Sequence, residues 1–284
     1  MSPDLKSLLL NVLGGVITAA LSLLYLSARH RLSSFNLQRL LGFPFKPETD
    51  IRLAYGQLQL PPVSTPSGQP LTHPYVKPHR RGQPRVQLSF SIERPVSECE
   101  VRASAYISSL LGLPGVLRPI LVSDVEVSGL LDTTFVSFGG PSNYKTVDVL
   151  SSPANVFIRI TNTGFALRSG EALPYACTSE ADFGAILRIR PPDFPQRSWI
   201  VCAGLGEWGT SGSAWYLANR WQVLLRRIHP LAYWLGFPSI SDFLAIVRVV
   251  PGQDQSAQLE WLFRRSRGRA IRVGSPSEQV TPTT

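Results

Sequence analysis

The chain has 284 residues, 44% of them hydrophobic and 17% charged, enough for one large α/β domain or two small ones. Its net charge of +9 favours anionic partners, but no long basic face alternates with aromatic residues, so nucleic acid is not expected. The three cysteines lack CxxC spacing and the four histidines are scattered, so neither a disulfide framework, a metal site nor a cofactor is predicted.

The first apolar segment, residues 8–28, carries no charge and as a helix would be roughly 30 Å long, about one hydrocarbon thickness. A secretory signal peptide is the alternative, but Lys6 alone precedes the segment as a cation, and its charge is offset by Asp4. Arg29 and Arg31 follow it. We therefore expect residues 1–31 to form a single-pass anchor in the cell membrane, with the lipid bilayer as partner and the C-terminal body cytoplasmic.

Small residues inside this segment bear on a second partner. Gly14, Gly15, Ala19 and Ala20 would let two such helices approach closely, which suggests a homo-oligomer. The alternative is that small residues are simply common in membrane helices. Residues 32–50 are expected to form a juxtamembrane helix ending near Gly42, followed by a proline-containing linker.

Strand and helix patterns alternate after the linker. Residues 50–60 are predicted to form the first strand, and residues 61–84 a long loop rich in proline and glycine, a common location for ligand contacts. Ser97 and Glu100 form a capping box that would open a helix to about Leu111. The strands predicted next cover residues 116–127 and 132–140, then a hairpin over 155–169 and strands over 182–192 and 199–203.

A helix is predicted from about Ser213 to Ile228, and two strands over residues 242–263 enclose a Pro-Gly turn. Residues 51–263 are expected to form a Rossmann-like ligand-binding domain of the α/β class, with a mostly parallel sheet and an antiparallel extension. Residues 264–284, charged and then rich in Ser, Pro and Thr, are expected to form a basic, disordered tail.

The first candidate site is a glycine-rich strand–helix junction. Residues 204–209 read Gly-Leu-Gly-Glu-Trp-Gly, a formal G-x-G-x-x-G in which Gly204 and Gly206 would let backbone N–H groups approach a phosphate. Thr210 and Ser211 add hydroxyl groups. The acidic residue that dinucleotide binding needs about 20 positions later is missing, so NAD binding of the common type is not expected.

The second junction follows the strand at 132–140 and has the same order of residue types. Gly139 and Gly140 precede the polar Ser142 and Asn143, and then a helical stretch begins. In a doubly wound sheet, ligands bind beyond the carboxyl ends of the strands. Both junctions, with the loop after Gly56 as a third wall, are therefore predicted to form one cleft for a small anionic, nucleotide-like ligand; the alternative is that the glycines are only tight corners.

Three stretches carry a family resemblance: "FVSFGGPSN" (135–143), "DFGAILRIRPPDFPQRSWIVCAGLGEWGTSGSAWYL" (182–217) and "DFLAIVRVV" (242–250). They resemble a poorly characterised group of prokaryotic membrane-anchored proteins with a GGP-x-N strand end and an AG-x-x-G-x-G-T helix start. The resemblance implies a Rossmann-like fold near the flavodoxin-like Toll/interleukin-1-receptor and nucleoside-deoxyribosyltransferase domains. Here Pro191-Pro192-Asp193 replaces the Pro-Asn-Pro of that group.

Enzymes of the deoxyribosyltransferase and NAD-cleaving folds use a glutamate in the ligand cleft to stabilise an oxocarbenium-like centre. By that resemblance Glu207 is the best-placed catalytic candidate, with Asp124 and Asp148 behind it. The favoured hypothesis is nevertheless a membrane-anchored sensor or effector that is not an enzyme. The alternatives are a membrane-tethered enzyme cleaving nucleotide glycosidic bonds and a structural membrane protein whose domain docks other proteins.

Overall fold

The computed structural model describes residues 3–44, 50–58, 74–76, 87–89, 96–112, 117, 119–161, 164–230 and 241–273, with only the backbone described at 3–12, 74–76 and 87–89. Most of the loop predicted at 61–84 and residues 274–284 of the predicted tail lie outside these residues.

The first helix, α1, runs without a break from Pro3 to Leu41. It ends where Gly42 adopts a φ of +84°, a conformation that glycine adopts without strain. The predicted division between an anchor and a separate juxtamembrane helix therefore does not occur. Side chains 13–32 are all exposed, whereas Leu37, Leu40 and Leu41 are buried in the body.

Within the described part of the chain, no helix combines the length and apolarity needed to cross a membrane. Residues 8–12, which open the predicted span, lie outside the residues whose side chains are described.

Eight strands form one sheet in the order β12-β11-β10-β8-β9-β5-β1-β4. The neighbouring strands β4, β1, β5 and β9 pair in parallel. The remaining pairings, β9 with β8, β8 with β10, β10 with β11 and β11 with β12, are all antiparallel. Six of the eight strands therefore run in one direction, and β8 and β11 run in the other. The expected α/β class with a mostly parallel sheet is confirmed. The strands are β1 Ile51–Tyr55, β4 Ile120–Ser123, β5 Thr134–Phe138, β8 Asp182–Ile189, β9 Trp199–Gly204, β10 Phe243–Val250, β11 Gln253–Ser266 and β12 Arg269–Arg272.

Helices cover both faces of the central strands. The end of α1, with α2 (Glu98–Gly112) and α5 (Glu207–Ile228), packs on one face around a core that includes Leu53, Phe138 and Leu224. The other face carries α4 (Tyr144–Ser151) and the hairpin of β6 (Ile158–Thr161) and β7 (Gly164–Leu167). A short α3 (Asp124–Val127) follows β4, and β2 (Pro74–Val76) pairs with β3 (Gln87–Ser89). Strands β5, β8 and most of β9 are buried along their length because both faces are covered.

The boundary expected at residue 264 requires correction. Strand β11 continues to Ser266, and β12 pairs with it from Arg269 to Arg272 around Gly268, whose φ is +78°. The arginines of this segment gave it the composition of a disordered tail. In the fold, however, the guanidinium of Arg272 lies 3.8 Å from the ring centroid of Trp261, so the arginine covers aromatic surface while its charge stays exposed.

Helix α5 crosses the sheet at unusually short range because glycines face one another. A Cβ placed on Gly184 of β8 would overlap the carbonyl oxygen of Gly209, and a Cβ on Gly204 would overlap backbone atoms of Gly206 and Thr210. This close approach sets how the amino end of α5 lies against β8 and β9. The glycines of the G-x-G-x-x-G motif thus have a packing role in the fold.

We expect Gly184→Ala to lower the free energy of unfolding by about 3 kcal/mol, because the added methyl group meets backbone rather than a side chain that can move. The matched control is Gly129→Ala, where the methyl group meets nothing within 4 Å and the change should stay within about 0.5 kcal/mol. Urea unfolding of both variants checks this; equal stability would contradict the close approach.

Candidate ligand cleft

The direction in which successive strands are added to the sheet reverses at β1. The next strand of this sheet along the chain, β4, lies on one side of β1, and β5 lies on the other side. Gly56 follows the carboxyl end of β1 and Gly139 that of β5, which lie side by side in parallel register. Such a reversal point is where open α/β sheets commonly bind ligands.

The side chain of Glu100, from the first turn of α2, lies at this reversal point. The Gly56 amide donates a hydrogen bond of 2.6 Å to Glu100 Oε2. Gly139 has a φ of +86°, and a Cβ at that position would overlap Glu100 Oε1. The carboxylate therefore occupies the position that the glycines leave open, and it is 5% exposed.

Two further side chains fix the loops around Glu100. Asp124 accepts hydrogen bonds from the Gln57 and Tyr144 amides, both at 2.9 Å, and joins the loop after β1 to the start of α4. Asn143 caps α4 through its Oδ1, and its Nδ2 donates to the carbonyl oxygens of Ala54 (3.0 Å) and Phe138 (2.9 Å). Both side chains are buried, and their hydrogen bonds are made within the protein.

The amino end of α5 is likewise held by a buried carboxylate. Asp182 Oδ1 accepts from the Gly206 amide at 3.0 Å, and Oδ2 accepts from the Gly209 amide at 2.6 Å. Thr210 Oγ1 accepts from the Gly204 amide at 2.9 Å. A phosphate at a helix amino end would use these N–H groups. Here an internal anion already satisfies those of Gly206 and Gly209.

Both junctions open into one cleft of about 680 Å³. Its walls come from the β5–α4 loop, the β9–α5 loop, the start of α2 and the β6–β7 hairpin. Of the predicted residues, Gly139, Gly140, Ser142, Gly204, Gly206, Glu207 and Thr210 line it, beside Leu58, Ser97, Cys99, Glu100, Pro141, Ile160, Thr161, Gly164, Ala176, Cys177 and Leu205.

The described lining is acidic and contains no lysine or arginine. Burial raises the pKa of Glu100 to about 7; the Gly56 N–H bond opposes this rise, and the charge of Asp124 adds to it. Burial also raises the pKa of the Cys99 thiol, with a contribution from Glu100 and Glu207, and that of Cys177, with a contribution from Asp182. Neither thiol is therefore activated as a thiolate nucleophile at neutral pH.

Five other predicted residues lie outside the cleft lining: Gly56, Asp124, Asn143, Asp148 and Ser211. Gly56 lies beneath Glu100. Ser211 donates a 2.5 Å hydrogen bond to Asp254, whose carboxylate also bonds Tyr106 and joins α2, α5 and β11. Asp148 forms an ion pair with Lys145 at 2.9 Å within α4. Glu207 is exposed at the cleft rim. Among the described residues, no group of histidines, cysteines and carboxylates is arranged to hold a metal ion.

Two side chains that hold the loops of the cleft are not indicated by the sequence patterns. Glu100 was recognised only as a capping-box residue, and Asp182 only as the start of a strand. Their partners are 44 and 24 residues away, so no local spacing reveals the contacts. The available signal is that each carboxylate lies next to an element boundary and each partner glycine lies in the loop that follows a strand.

No family model, no curated protein and no solved structure matches the chain.

The raised pKa of Glu100 gives a pH dependence with a definite sign. Protonation is favoured in the folded state, so this contribution to stability is complete below about pH 4.5 and is lost as the pH rises through 7. We expect Glu100→Gln, which keeps an acceptor for the Gly56 N–H, to remove this loss. The variant should gain up to about 3 kcal/mol relative to the wild type between pH 4.5 and 8.

Urea unfolding across this pH range measures the difference. The control is Glu207→Gln, which changes an exposed carboxylate on the same cleft and should leave the profile of the wild type unaltered. Parallel profiles for wild type and Glu100→Gln would show that Glu100 titrates normally.

Proposed function

We propose that the protein is a membrane-anchored sensor or effector whose cytoplasmic α/β domain binds a small nucleotide-like ligand in this cleft. The observation that carries the proposal is the convergence of the two glycine junctions. Gly139 and Gly140 at one junction, and Gly204 and Gly206 at the other, border the same cavity although they are 65 residues apart in sequence. Its volume is that of a site for a small organic molecule.

The chemistry of the walls indicates how such a ligand would lie. The carboxyl groups of Glu100 and Glu207 on the lining are hydrogen-bond acceptors for a ligand, and the Gly206 and Gly209 N–H groups at the amino end of α5 are bonded to Asp182. A phosphate deep in the cleft would therefore be repelled by carboxylates without a compensating cation. Ribose hydroxyls and base N–H groups donate hydrogen bonds, so the nucleoside end enters and the anionic end stays near the opening.

The strand order supports a Rossmann-like assignment of the flavodoxin type. We number five strands from 1 to 5 in chain order: β1, β4, β5, β9 and β10. Across the sheet they lie in the order β4-β1-β5-β9-β10, which is 2-1-3-4-5, and the antiparallel β8 lies between β9 and β10. In that type the ligand binds between the first and third strands, which here are β1 and β5. Glu100 and the Gly139 loop lie at this position.

The anchoring part of the proposal rests on α1. Its side chains from residue 13 to 32 are exposed, and Val16, Leu21 and Leu26 among them lie on three different sides of the helix, so apolar surface surrounds it. A lipid bilayer would cover such a surface, and the cations that follow residue 28 favour a cytoplasmic body.

A second candidate function is cleavage of a nucleotide glycosidic bond. It is favoured by Glu100, a buried carboxyl group on the cleft wall whose pKa of about 7 suits general acid–base catalysis. Glu100 would protonate the leaving nucleobase as the bond between its nitrogen and the anomeric carbon breaks. Glu207 would stabilise the oxocarbenium-like sugar, and water would add to the anomeric carbon. The proton lost by this water would return to Glu100, and the products would be the free base and the sugar phosphate, or ADP-ribose from NAD.

The cleft is tested by filling it. A Cβ on Gly140 meets nothing within 4 Å, so Gly140→Val places a side chain on the lining without a clash. At a hundredfold excess over Kd, adenosine or AMP should raise the Tm of the full-length protein by about 5–10 °C, and inorganic phosphate should not. We expect Gly140→Val to abolish the shift.

Gly129→Val is the matched control, because its Cβ also meets nothing within 4 Å and it lies outside the cleft lining. Gly206 is unsuitable for this test, since a Cβ there would lie 2.7 Å from Asp182 Oδ2 and disturb the cap of α5. No shift with adenosine, AMP or NAD, or an unchanged shift in Gly140→Val, would refute nucleotide-like binding in this cleft.

Sensor and enzyme are separated by the fate of bound NAD and AMP. We expect no release of nicotinamide or adenine above background, and Glu207→Gln should leave affinity unchanged or improve it by removing repulsion. Chromatography of reaction mixtures and calorimetric titration measure the two quantities. Base release that falls by orders of magnitude in Glu100→Gln or Glu207→Gln, with binding retained, would establish the enzyme instead.

A further inference from the structure

Arginines collect at the end of the sheet opposite the cleft. Arg190 follows β8, whose last residue pairs with Trp199 at the amino end of β9. Arg267 lies in the turn after β11, whose Arg264 pairs with Phe243 at the amino end of β10. We name Arg190, Arg227, Arg267 and Arg269 the basic end face.

Arg227 belongs to this end because the last turn of α5 reaches it. Arg264 Nη1 donates to the carbonyl oxygen of Ile228 at 3.4 Å, which joins the end of α5 to β11. Burial lowers the pKa of the next residue, His229, and the charges of Arg264, Arg39 and Arg188 lower it further. The charges of arginines on α1, β8 and β11 therefore all act on one histidine at the end of α5.

The carboxylates at this end leave an excess of cations. Three form ion pairs with arginines outside the basic end face: Asp50 with Arg52 (3.2 Å), Asp132 with Arg197 (2.7 Å) and Asp242 with Arg265 (3.3 Å). Asp193 is an exposed carboxylate nearby. Within the described residues, the four arginines of the basic end face form no ion pair.

Helix α1 leaves the body at the same end. The carbonyl oxygen of Leu41 accepts a 2.6 Å hydrogen bond from Ser198 Oγ, directly before β9. Along α1, Arg29 and Arg31 lie between the exposed apolar segment and the body, and both arginines are exposed. An apolar helix followed by exposed cations matches the profile of a bilayer with anionic headgroups.

We propose that the basic end face docks on the anionic surface of a lipid bilayer, with the cleft at the opposite end of the sheet facing away from the membrane. This inference rests on the membrane anchoring proposed above. A bilayer fits better than nucleic acid because the apolar α1 emerges beside the arginines, and an apolar helix has no place on a nucleic acid surface.

The test separates docking from anchoring. In the full chain, Leu21→Asp and Leu24→Asp together charge α1 at two exposed positions without touching the core. This protein is sedimented with phosphatidylcholine vesicles, with or without 30% phosphatidylserine, at low and high NaCl. We expect binding only with phosphatidylserine and its loss at high salt. Adding Arg227→Gln and Arg267→Gln should weaken binding about thirtyfold.

The control pair, Arg159→Gln and Arg248→Gln, removes the same charge from two exposed arginines near the cleft end of the sheet and should change binding little. Equal losses in both pairs, or no loss in either, would overturn the proposal. So would tighter binding to a 30-nucleotide RNA that depends on Arg227 and Arg267. Carbonate extraction of the wild-type chain tests the anchor separately, since a docked face is released by carbonate and a spanning helix is not.

Discussion

Carboxylates bonded to backbone N–H groups are the interactions on which the cleft end of this fold depends. Glu100 holds Gly56 at the end of β1, and Asp182 holds Gly206 and Gly209 at the start of α5. The bonds to Gly56 and Gly209 are buried and the bond to Gly206 is partly buried, and ionisation of the carboxylate strengthens such bonds. They fix the loops around the cleft, and they also supply the negative charge that a bound phosphate would otherwise bring.

Much of the fold was predictable because its signals are local. Alternating apolar runs gave the strands, and a glycine marks the end of α1 at Gly42. The glycine junctions indicated the cleft, since strands running in one direction end at one edge of the sheet. Glu100 could not be assigned, because its partner depends on how α2 lies against β1. The pairing of β11 with β12 over residues 264–272 was not predicted, because a high content of arginine indicates only that a segment is soluble. The pairing is stabilised by contacts of β12 with Phe263 and Trp261, which composition does not reveal.

Charge is distributed unevenly along the axis of the sheet. The net charge of +9 suggested an anionic ligand, yet the described cleft lining carries carboxylates and no basic side chain. The four arginines of the basic end face lie at the far end, where α1 joins the body at Leu41. A net charge therefore describes the long-range attraction of the whole chain, whereas the chemistry of a site depends on the few groups within hydrogen-bonding distance.

The continuity of α1 has a mechanical consequence. With 39 residues it is about 58 Å long, and its last turn is fixed in the core by Leu37, Leu40 and the bond from Ser198. A rocking motion of 5° about that fixed turn would move the free end by about 5 Å. Ser198 directly precedes β9, which ends at Gly204 on the cleft, so a displacement of α1 acts on the chain segment that leads to the cleft.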